Sequence, residues 1–274
     1  TIDHAISKDK FTQHVVVNVA KLVNMQNDIV LSESIRECDI INIDGMGIVL
    51  GARFLGYEIP ERVAGVDLFL KLISMSAKKN YPIYLLGSKD EVVKNTASKL
   101  QSLYPKINIA GYHHGYFWEN EEEIVEKIKA SGAKLLFVAI TSPKKENFIN
   151  RWKEKLGVTF VMGVGGTFDV VSGKVKRAPL WMQKYGLEWF FRIIQEPRRM
   201  WKRYLVTNTK FVGLIFIWEA KWTWQKNIVF IITKANSEKG QICLSLLTQL
   251  RLQKFLKNMV TTMRLYSAWR FCMM

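Results

Sequence analysis

Apolar and polar positions alternate in blocks along the middle of the chain, and the block lengths separate strands from helices. Short, continuous apolar runs, typical of strands buried on both faces, cover residues 40–43, 83–86, 107–110, 135–140 and 158–164. Longer segments with apolar residues three and four positions apart, typical of amphipathic helices, cover residues 46–55, 91–103, 121–130 and 144–156. The alternation predicts an α/β fold, with a mainly parallel, Rossmann-like sheet and helices on both faces.

From Leu180 onward the pattern becomes helical and amphipathic. Pro197 is expected to begin a new helix, with Glu196 near its cap, because Pro fits the first helical turn. We expect an α/β catalytic domain over residues 1–190, a basic C-terminal helical appendage over 191–217, and an atypical tail of unknown role over 218–274.

The formal charge of +16 is concentrated in the C-terminal third of the chain. Residues 1–176 hold 23 Lys+Arg and 20 Asp+Glu, whereas residues 177–274 hold 17 basic and 4 acidic residues. The basic third is interleaved with the aromatic residues Trp181, Trp189, Trp201, Tyr204, Trp218, Trp222 and Trp224. This combination suits a membrane–water interface and equally suits single-stranded nucleic acid, so composition leaves both open.

Three widely spaced Cys residues (Cys38, Cys243 and Cys272) predict neither a disulfide framework nor a zinc site, and they favour a reducing cytosol. The N-terminal segment is polar and has no apolar signal-peptide core. The longest apolar run, residues 211–218, is too short to span a bilayer. We therefore expect a cytoplasmic protein that lies on the membrane surface without crossing it.

The most informative segment is DIINIDGMGIVLGARFLGYEIPERVAGVD, residues 39–67. Its apolar run delivers Asp44 and Gly45 into a turn, and an acid at the carboxyl end of a buried strand lies where open α/β sheets bind ligands. Arg62 follows a Pro-containing loop, so the acidic side chain of Asp44 and the basic side chain of Arg62 can converge on one crevice. Asp44 has an alternative interpretation as the N-cap of the following helix, which spacing alone leaves open.

Three further blocks follow in order: YLLGSKDEVVKNTASKLQSLYPKINIAGYHHGYF, VGGTFDVVSGKVKRAP and GLEWFFRIIQEPRRMWKRYL, which end at residues 117, 179 and 205. With the Asp44 segment they resemble the WecG/TagA/CpsF family of bacterial glycosyltransferases (glycosyltransferase family 26), over roughly residues 10–217. The resemblance implies inverting transfer of a sugar, most often N-acetylmannosamine from its UDP form, onto undecaprenyl-diphosphate-linked N-acetylglucosamine. The product would enter wall teichoic acid, capsule or exopolysaccharide synthesis, and glucose or a uronic acid is the alternative donor sugar.

The resemblance also implies roles for individual residues. Asp44 would be the catalytic base, Arg62 and Arg177 would face the diphosphates, and Arg199 would contribute to catalysis from an appendage that folds over the site at the membrane. Asn18 lies in a segment interpreted as a strand. It matches an Asn that the family has near its active site. The remaining predicted substrate-binding residues are Gly87, Ser88, Lys145, Gly165, Gly166, Asp169, Arg192, Arg198 and Arg203. Each of these roles has a structural alternative. The glycines could simply form tight turns, Asp169 could cap a turn, and the arginines could belong to a solvated basic face.

No Asp-x-Asp triplet occurs, and the adjacent His113 and His114, interpreted as loop histidines, make a poor metal pair. We therefore expect no metal and no cofactor, so that Arg and Lys side chains and helix N-termini stabilise the leaving diphosphate. The expected partners are a UDP-sugar donor, a polyprenyl-diphosphate-linked acceptor and the inner face of the cytoplasmic membrane, with a second copy of the chain as a candidate, but not nucleic acid.

Two other classes of protein remain as alternatives. A non-enzymatic nucleic-acid-binding protein would account for the pI near 9.7, although the near-neutral first 176 residues and the turn at Asp44 argue against it. A dinucleotide-dependent oxidoreductase would need a G-x-G-x-x-G segment after a strand, which this sequence lacks.

Overall fold

The computed structural model describes residues 2–54, 63–216 and 230–231. In this part of the chain six strands form one sheet. The strands are β1 (Thr12–Val17), β2 (Ile40–Ile43), β3 (Ile83–Gly87), β4 (Ile109–His113), β5 (Leu135–Ala139) and β6 (Phe160–Gly163). Their order is β2-β1-β6-β5-β3-β4, and every paired neighbour is parallel. All carboxyl ends therefore lie along one edge, and the predicted parallel α/β sheet is confirmed.

Helices cover both faces of this sheet. They are α1 (Ile2–Ser7), α2 (Val19–Asn24), α3 (Ile29–Arg36), α4 (Met46–Phe54), α5 (Gly65–Lys79), α6 (Asp90–Leu103), α7 (Glu121–Ala130), α8 (Lys144–Trp152), α9 (Thr167–Val171), α10 (Leu180–Lys184), α11 (Glu188–Gln195) and α12 (Pro197–Phe216). One face packs Leu85 and Phe137 against α5, α6 and α9. The opposite face packs Leu86 and Val138 against α7 and α8. The alternation of side chains along each strand divides the core in this way.

The side of the sheet formed by β1 and β2 packs against α2, α3 and α4 in a separate apolar cluster. Val15 and Val17 pack there with Leu22 and Leu31. The long C-terminal helix α12 contacts α2, and its buried Phe211 belongs to the same cluster. Apolar packing therefore anchors the basic C-terminal segment to the side of the sheet that holds β1 and β2.

Several element boundaries differ from the sequence prediction. Asn18 was predicted to lie in a strand, which is wrong: β1 ends at Val17, and Asn18 is the N-cap of α2, its side chain accepting from the Lys21 amide at 3.1 Å. The strand expected at residues 107–110 is β4, which begins two residues later and includes His113, so only His114 lies in the loop. The predicted helix 144–156 ends at Trp152, and the strand predicted at 158–164 is the shorter β6. Pro197 begins α12, as predicted.

The surface formed by α10, α11 and the first turns of α12 exposes large apolar side chains. They are Leu180, Trp181, Tyr185, Trp189, Phe190, Ile194, Trp201 and Leu205. Helix α11 has no buried residue. Within the described ranges, no helix is long and apolar enough to cross a membrane.

Candidate active site

Asp44 follows β2 directly and lies at the carboxyl edge of the sheet. Its backbone amide donates to the carbonyl of Val17, the last residue of β1, at 2.9 Å. Asn18 directly follows β1 as the N-cap of α2, so the ends of β1 and β2 bring Asp44 and Asn18 into one corner of the crevice. Asp44 is half-buried, which leaves its carboxylate within reach of a ligand on the edge. Topology, rather than local sequence, joins these two positions.

Arg177 links this corner to the C-terminal helices. Its guanidinium donates to both carboxylate oxygens of Asp67, in the first turn of α5, at 2.6 and 2.7 Å. Its Nε lies 3.9 Å from Oε1 of Glu188, at the start of α11. The hydrogen bonds to Asp67 raise the pKa of Arg177 against the effect of burial, and the charges of Glu188 and Asp44 add to the increase. Arg177 is thus surrounded by carboxylates and lies within electrostatic reach of Asp44.

The turn between α10 and α11 packs on the beginning of α4. A Cβ added to Gly186, where φ is +72°, would lie 2.7 Å from Cβ of Met46. Met46 is only two residues from Asp44, so α10 and α11 are held against the Asp44 turn. Glycine at 186 permits both the left-handed backbone and this close approach.

A second group of predicted residues meets at the carboxyl end of β6. Gly165 adopts a left-handed conformation with φ of +54°, and the space beyond its Cα is open. A Cβ added to Gly166 would lie 3.9 Å from both Nη1 of Arg192 and Oδ2 of Asp169. Asp169 also faces Lys174, at 3.6 Å. The structure therefore brings Gly165, Gly166, Asp169 and Arg192 together above one strand end.

Gly87 and Ser88 lie at the boundary of β3 and β5. The chain leaves β3 toward β4 and leaves β5 toward β6, in opposite directions, so this boundary is a topological switch point, where open sheets bind ligands. The Ser88 amide donates to the Ala139 carbonyl at 2.9 Å, and a Cβ on Gly87 would lie 2.4 Å from that oxygen. Close packing against β5 therefore accounts for glycine at 87 and occupies the Ser88 amide. Four strand spacings, about 19 Å, separate Gly87 from the end of β2, so nucleotide contact here stays a prediction.

Lys145 is buried, not displayed on the crevice surface. Its ammonium group is hydrogen-bonded to Oε1 of Glu146, and the same oxygen lies 2.8 Å from Nζ of Lys21. Burial and the charge of Lys21 lower the pKa of Lys145 to about 8, against the attraction of Glu146. Burial tends to raise the pKa of Glu146, but the two ammonium groups outweigh that effect and lower it.

Three predicted arginines cannot be placed. Arg62 lies outside the described residues, and α12 carries Arg199 and Arg203, whose side chains also lie outside the described part of the structure. Arg198 is exposed in the first turn of α12. The described residues contain no group of three or more His, Cys, Asp or Glu side chains that could hold a metal ion, and metal independence stays a prediction.

Sequence reasoning missed Asp67, Glu146 and Lys21. Asp67 and Glu146 occupy the first turns of α5 and α8, where an acid is expected simply because it complements the helix dipole. The partners of Asp67 and Lys21 are 110 and 125 positions away in the chain, and no local pattern marks such pairs.

Comparison with known proteins adds independent findings. The family profile described as "Glycosyl transferase WecG/TagA/CpsF family" matches residues 1–226. The chain is 41% identical over 162 residues to an N-acetylglucosaminyldiphosphoundecaprenol N-acetyl-beta-D-mannosaminyltransferase of Bacillus subtilis (strain 168), covering 59% of this chain and 62% of that protein. It is 36% identical over 167 residues to the protein of the same name in Bacillus spizizenii, covering 61% of this chain and 64% of that protein.

The chain thus spans somewhat less than two thirds of the curated relatives it matches. The family profile covers most of the chain, including the Asp44 corner, the Gly165–Gly166 turn and helices α10 to α12. Together with the parallel α/β sheet, this match means that the chain belongs to the WecG/TagA/CpsF family of glycosyl transferases.

Proposed function

We propose that this protein is an inverting, metal-independent glycosyltransferase that moves N-acetylmannosamine from UDP to undecaprenyl-diphosphate-linked N-acetylglucosamine. The two Bacillus relatives carry names that state this transfer. The observation that carries the proposal is the Asp44 corner: a half-buried carboxylate at the carboxyl end of a parallel strand, joined to the end of β1 and within electrostatic reach of Arg177.

In the proposed reaction Asp44 accepts the proton of an acceptor hydroxyl as that oxygen attacks the anomeric carbon of the donor. The bond from the anomeric carbon to the diphosphate oxygen breaks, and UDP leaves with the bonding electron pair. Attack from the side opposite the leaving group inverts the anomeric carbon. The step needs one base and one source of positive charge.

Among the described arginines, Arg192 and Arg177 lie near the crevice. Arg192 reaches the open Gly165–Gly166 turn, which supports a role in binding the leaving diphosphate. Arg177 is held by Asp67, so we assign it to organising the crevice wall and the field at Asp44. Arg62, Arg199 and Arg203 remain proposed contributors.

We further propose that the surface of α10 to α12 rests on the inner face of the cytoplasmic membrane. Exposed Trp181, Tyr185 and Trp189 suit the headgroup region, and the net positive charge of residues 177–274 suits anionic lipid. An acceptor carried on a lipid would then meet Asp44 at the membrane surface, since α10 and α11 pack beside that turn.

The direct experiment is a transfer assay with purified protein, UDP-N-acetylmannosamine and a synthetic lipid-diphosphate-N-acetylglucosamine acceptor, run with and without EDTA. Disaccharide formation that EDTA does not reduce is the expected result. Transfer from UDP-glucose or a UDP-uronic acid instead would change the donor but keep the reaction. Loss of all transfer together with loss of UDP binding would contradict the proposed function.

A further inference from the structure

Three ionisable side chains form a buried cluster at the carboxyl edge of the sheet. Lys21 of α2, and Lys145 and Glu146 of α8, are 7%, 3% and 2% exposed. One oxygen of Glu146, Oε1, faces the ammonium groups of both lysines. Lys21 also donates to the carbonyl of Val16, in β1, at 2.5 Å. We call these three residues the lysine–glutamate cluster.

The charges of this cluster do not balance. Two ammonium groups share one carboxylate, and Oε2 of Glu146 has no hydrogen-bond partner among the described residues. An excess positive charge in a site closed to water is costly unless another group compensates it. The lowered pKa of Lys145, about 8, reflects that cost, because burial and Lys21 both disfavour its charged form. An anion bound nearby would offset part of the cost of this buried positive charge.

The cluster lies beside the open turn at the end of β6. The side chain of Lys145 runs along Gly163, where an added Cβ would lie 2.5 Å from Cε and 3.1 Å from Nζ. Gly163 is the last residue of β6, and the open Gly165 follows two positions later. On the other side, the Lys21 amide donates to the cap residue Asn18. The cluster therefore lies beneath the strand ends, between the Asp44 corner and the switch point at Gly87.

We propose that the lysine–glutamate cluster is the counter-charge for a nucleotide diphosphate bound over the Gly165–Gly166 turn, and that this anion in turn favours the charged form of Lys145. The proposal rests on the proposed function, which it deepens. Lys21 and Glu146 hold Lys145 in place, and all three act as positioning residues through their charge rather than as groups that touch the sugar. Because the ammonium groups are held in position before the diphosphate binds, they stabilise it when the glycosidic oxygen takes the bonding electrons.

The pH dependence follows from the groups that face Lys145. These are Lys21 on α2 and Glu146 on α8. His14 on β1 lies within reach of the Lys21 charge, and burial lowers the pKa of His14 to about 4, so it stays neutral above pH 6. Binding of UDP is therefore expected to weaken as pH rises above about 8 and Lys145 loses its proton. Each unit by which the anion raises the pKa of Lys145 corresponds to about tenfold tighter binding to the protonated form.

The test is calorimetric titration of the full chain with UDP, and separately with inorganic pyrophosphate, between pH 6.5 and 9.5. At pH 8.5 the titration is repeated in two buffers of different ionisation enthalpy, which reports proton uptake directly. Wild-type protein is expected to take up a fraction of a proton that K145M does not. At pH 7, K145M is expected to bind UDP about tenfold more weakly. E146Q is expected to move the fall in affinity to lower pH, because the carboxylate that favours charged Lys145 is gone.

K153M provides the matched control, since Lys153 forms an exposed ion pair with Glu37 at 3.1 Å and should leave affinity and proton uptake unchanged. If K145M does not fold, K145Q and the proton uptake of the wild type decide the question. UDP binding by the wild type without proton uptake at pH 8.5, or with affinity and pH dependence equal to those of a folded Lys145 variant, overturns the inference and leaves the proposed function standing. If the wild type binds neither UDP nor pyrophosphate, both this inference and the proposed function are overturned.

Discussion

Arg177 and Asp67, 110 positions apart in the chain, form a two-point hydrogen bond at 2.6 and 2.7 Å. This pair ties the segment before α10 to the first turn of α5 and holds Arg177 within electrostatic reach of Asp44. Lys keeps the charge but cannot make the planar fork of an Arg–carboxylate pair. The pair therefore sets geometry in a way that charge alone does not.

Arg177→Lys and Asp67→Asn are each expected to reduce kcat about tenfold or more, because the guanidinium loses its fixed orientation. Both side chains are partly exposed, so the free energy of unfolding should change by only about 1 kcal/mol or less. Asp90→Asn is the control, since Asp90 makes a comparable ion pair with Lys94 at 2.7 Å in the first turn of α6. Normal kcat in both site variants would return the pair to a purely structural role.

Asp44→Asn is expected to lower kcat by about 10²–10⁴-fold, since general-base catalysis contributes a factor of that size. UDP affinity and thermal stability should stay close to those of the wild type. Asp39→Asn tests the same substitution at the opposite end of β2, where Asp39 accepts from the Gln13 amide at 2.8 Å; it should retain transfer. An Asp44→Asn protein with wild-type turnover would remove Asp44 as the base.

Asn18 has two possible roles, which one substitution series separates. Asn18→Ala removes the cap of α2 and should cost about 1 kcal/mol of stability. Asn18→Ser keeps a capping oxygen and should recover most of that stability, without recovering activity if the amide binds substrate. Asp28→Ala, at the equivalent cap of α3, should lower stability similarly and leave the UDP affinity unchanged. Recovery of full activity with Asn18→Ser would assign Asn18 to capping alone.

His14 makes the stability of the protein sensitive to acid. Its side chain is buried in β1, with Nε2 2.5 Å from Oδ1 of Asn42. Burial, against the hydrogen bond to Asn42 and with a smaller contribution from the charge of Lys21, lowers the pKa of His14 from 6.5 to about 4. The unfolded chain binds this proton first as pH falls, so the stabilising contribution is complete above pH 6.5 and is lost toward pH 4. The loss attributable to His14 should be about 3 kcal/mol.

Urea unfolding of wild type and His14→Gln between pH 4 and 7.5 measures this effect. From pH 7.5 to pH 4 the wild type should lose about 3 kcal/mol more of its free energy of unfolding than His14→Gln, because only the wild type carries the histidine. Curves that stay parallel over the whole range would show that His14 does not contribute to acid sensitivity.

Membrane association is expected to depend on the exposed apolar side chains of α10 and α11. The double substitution Trp181→Ser with Ile194→Ser, at residues 58% and 60% exposed, should reduce binding to vesicles that contain anionic lipid several-fold. Ile29→Ser on α3, where Ile29 is 74% exposed, removes a comparable apolar side chain from another surface and should have no effect. Equal vesicle binding by all three proteins would contradict the assignment of this surface.

Local pattern was sufficient to predict the class of the fold and the position of Asp44. Continuous apolar runs at β2, β3 and β5 indicated strands buried on both faces, and the helical segments between them indicated parallel connections. Pro197 marked the start of α12 because its ring favours the first turn. Asn18 was misplaced since Val19, Leu22 and Val23 continue the apolar run of β1, and only the cap hydrogen bond to Lys21 shows where the strand ends.

The tertiary structure alone decided which side chains meet. Asp67 with Arg177, and Lys21 with Glu146, are joined by packing of helices far apart in the sequence, and their charges gave no sign of a partner. Lysine is usually a surface residue, but Lys145 is buried. It is buried because α8 packs against β6 with that position inward. The sequence by itself determined strands, helices and the acid at the edge of the sheet, since these depend on residues near one another in the chain. Burial, pairing and altered pKa values depend on distant residues, and only the folded arrangement could decide them.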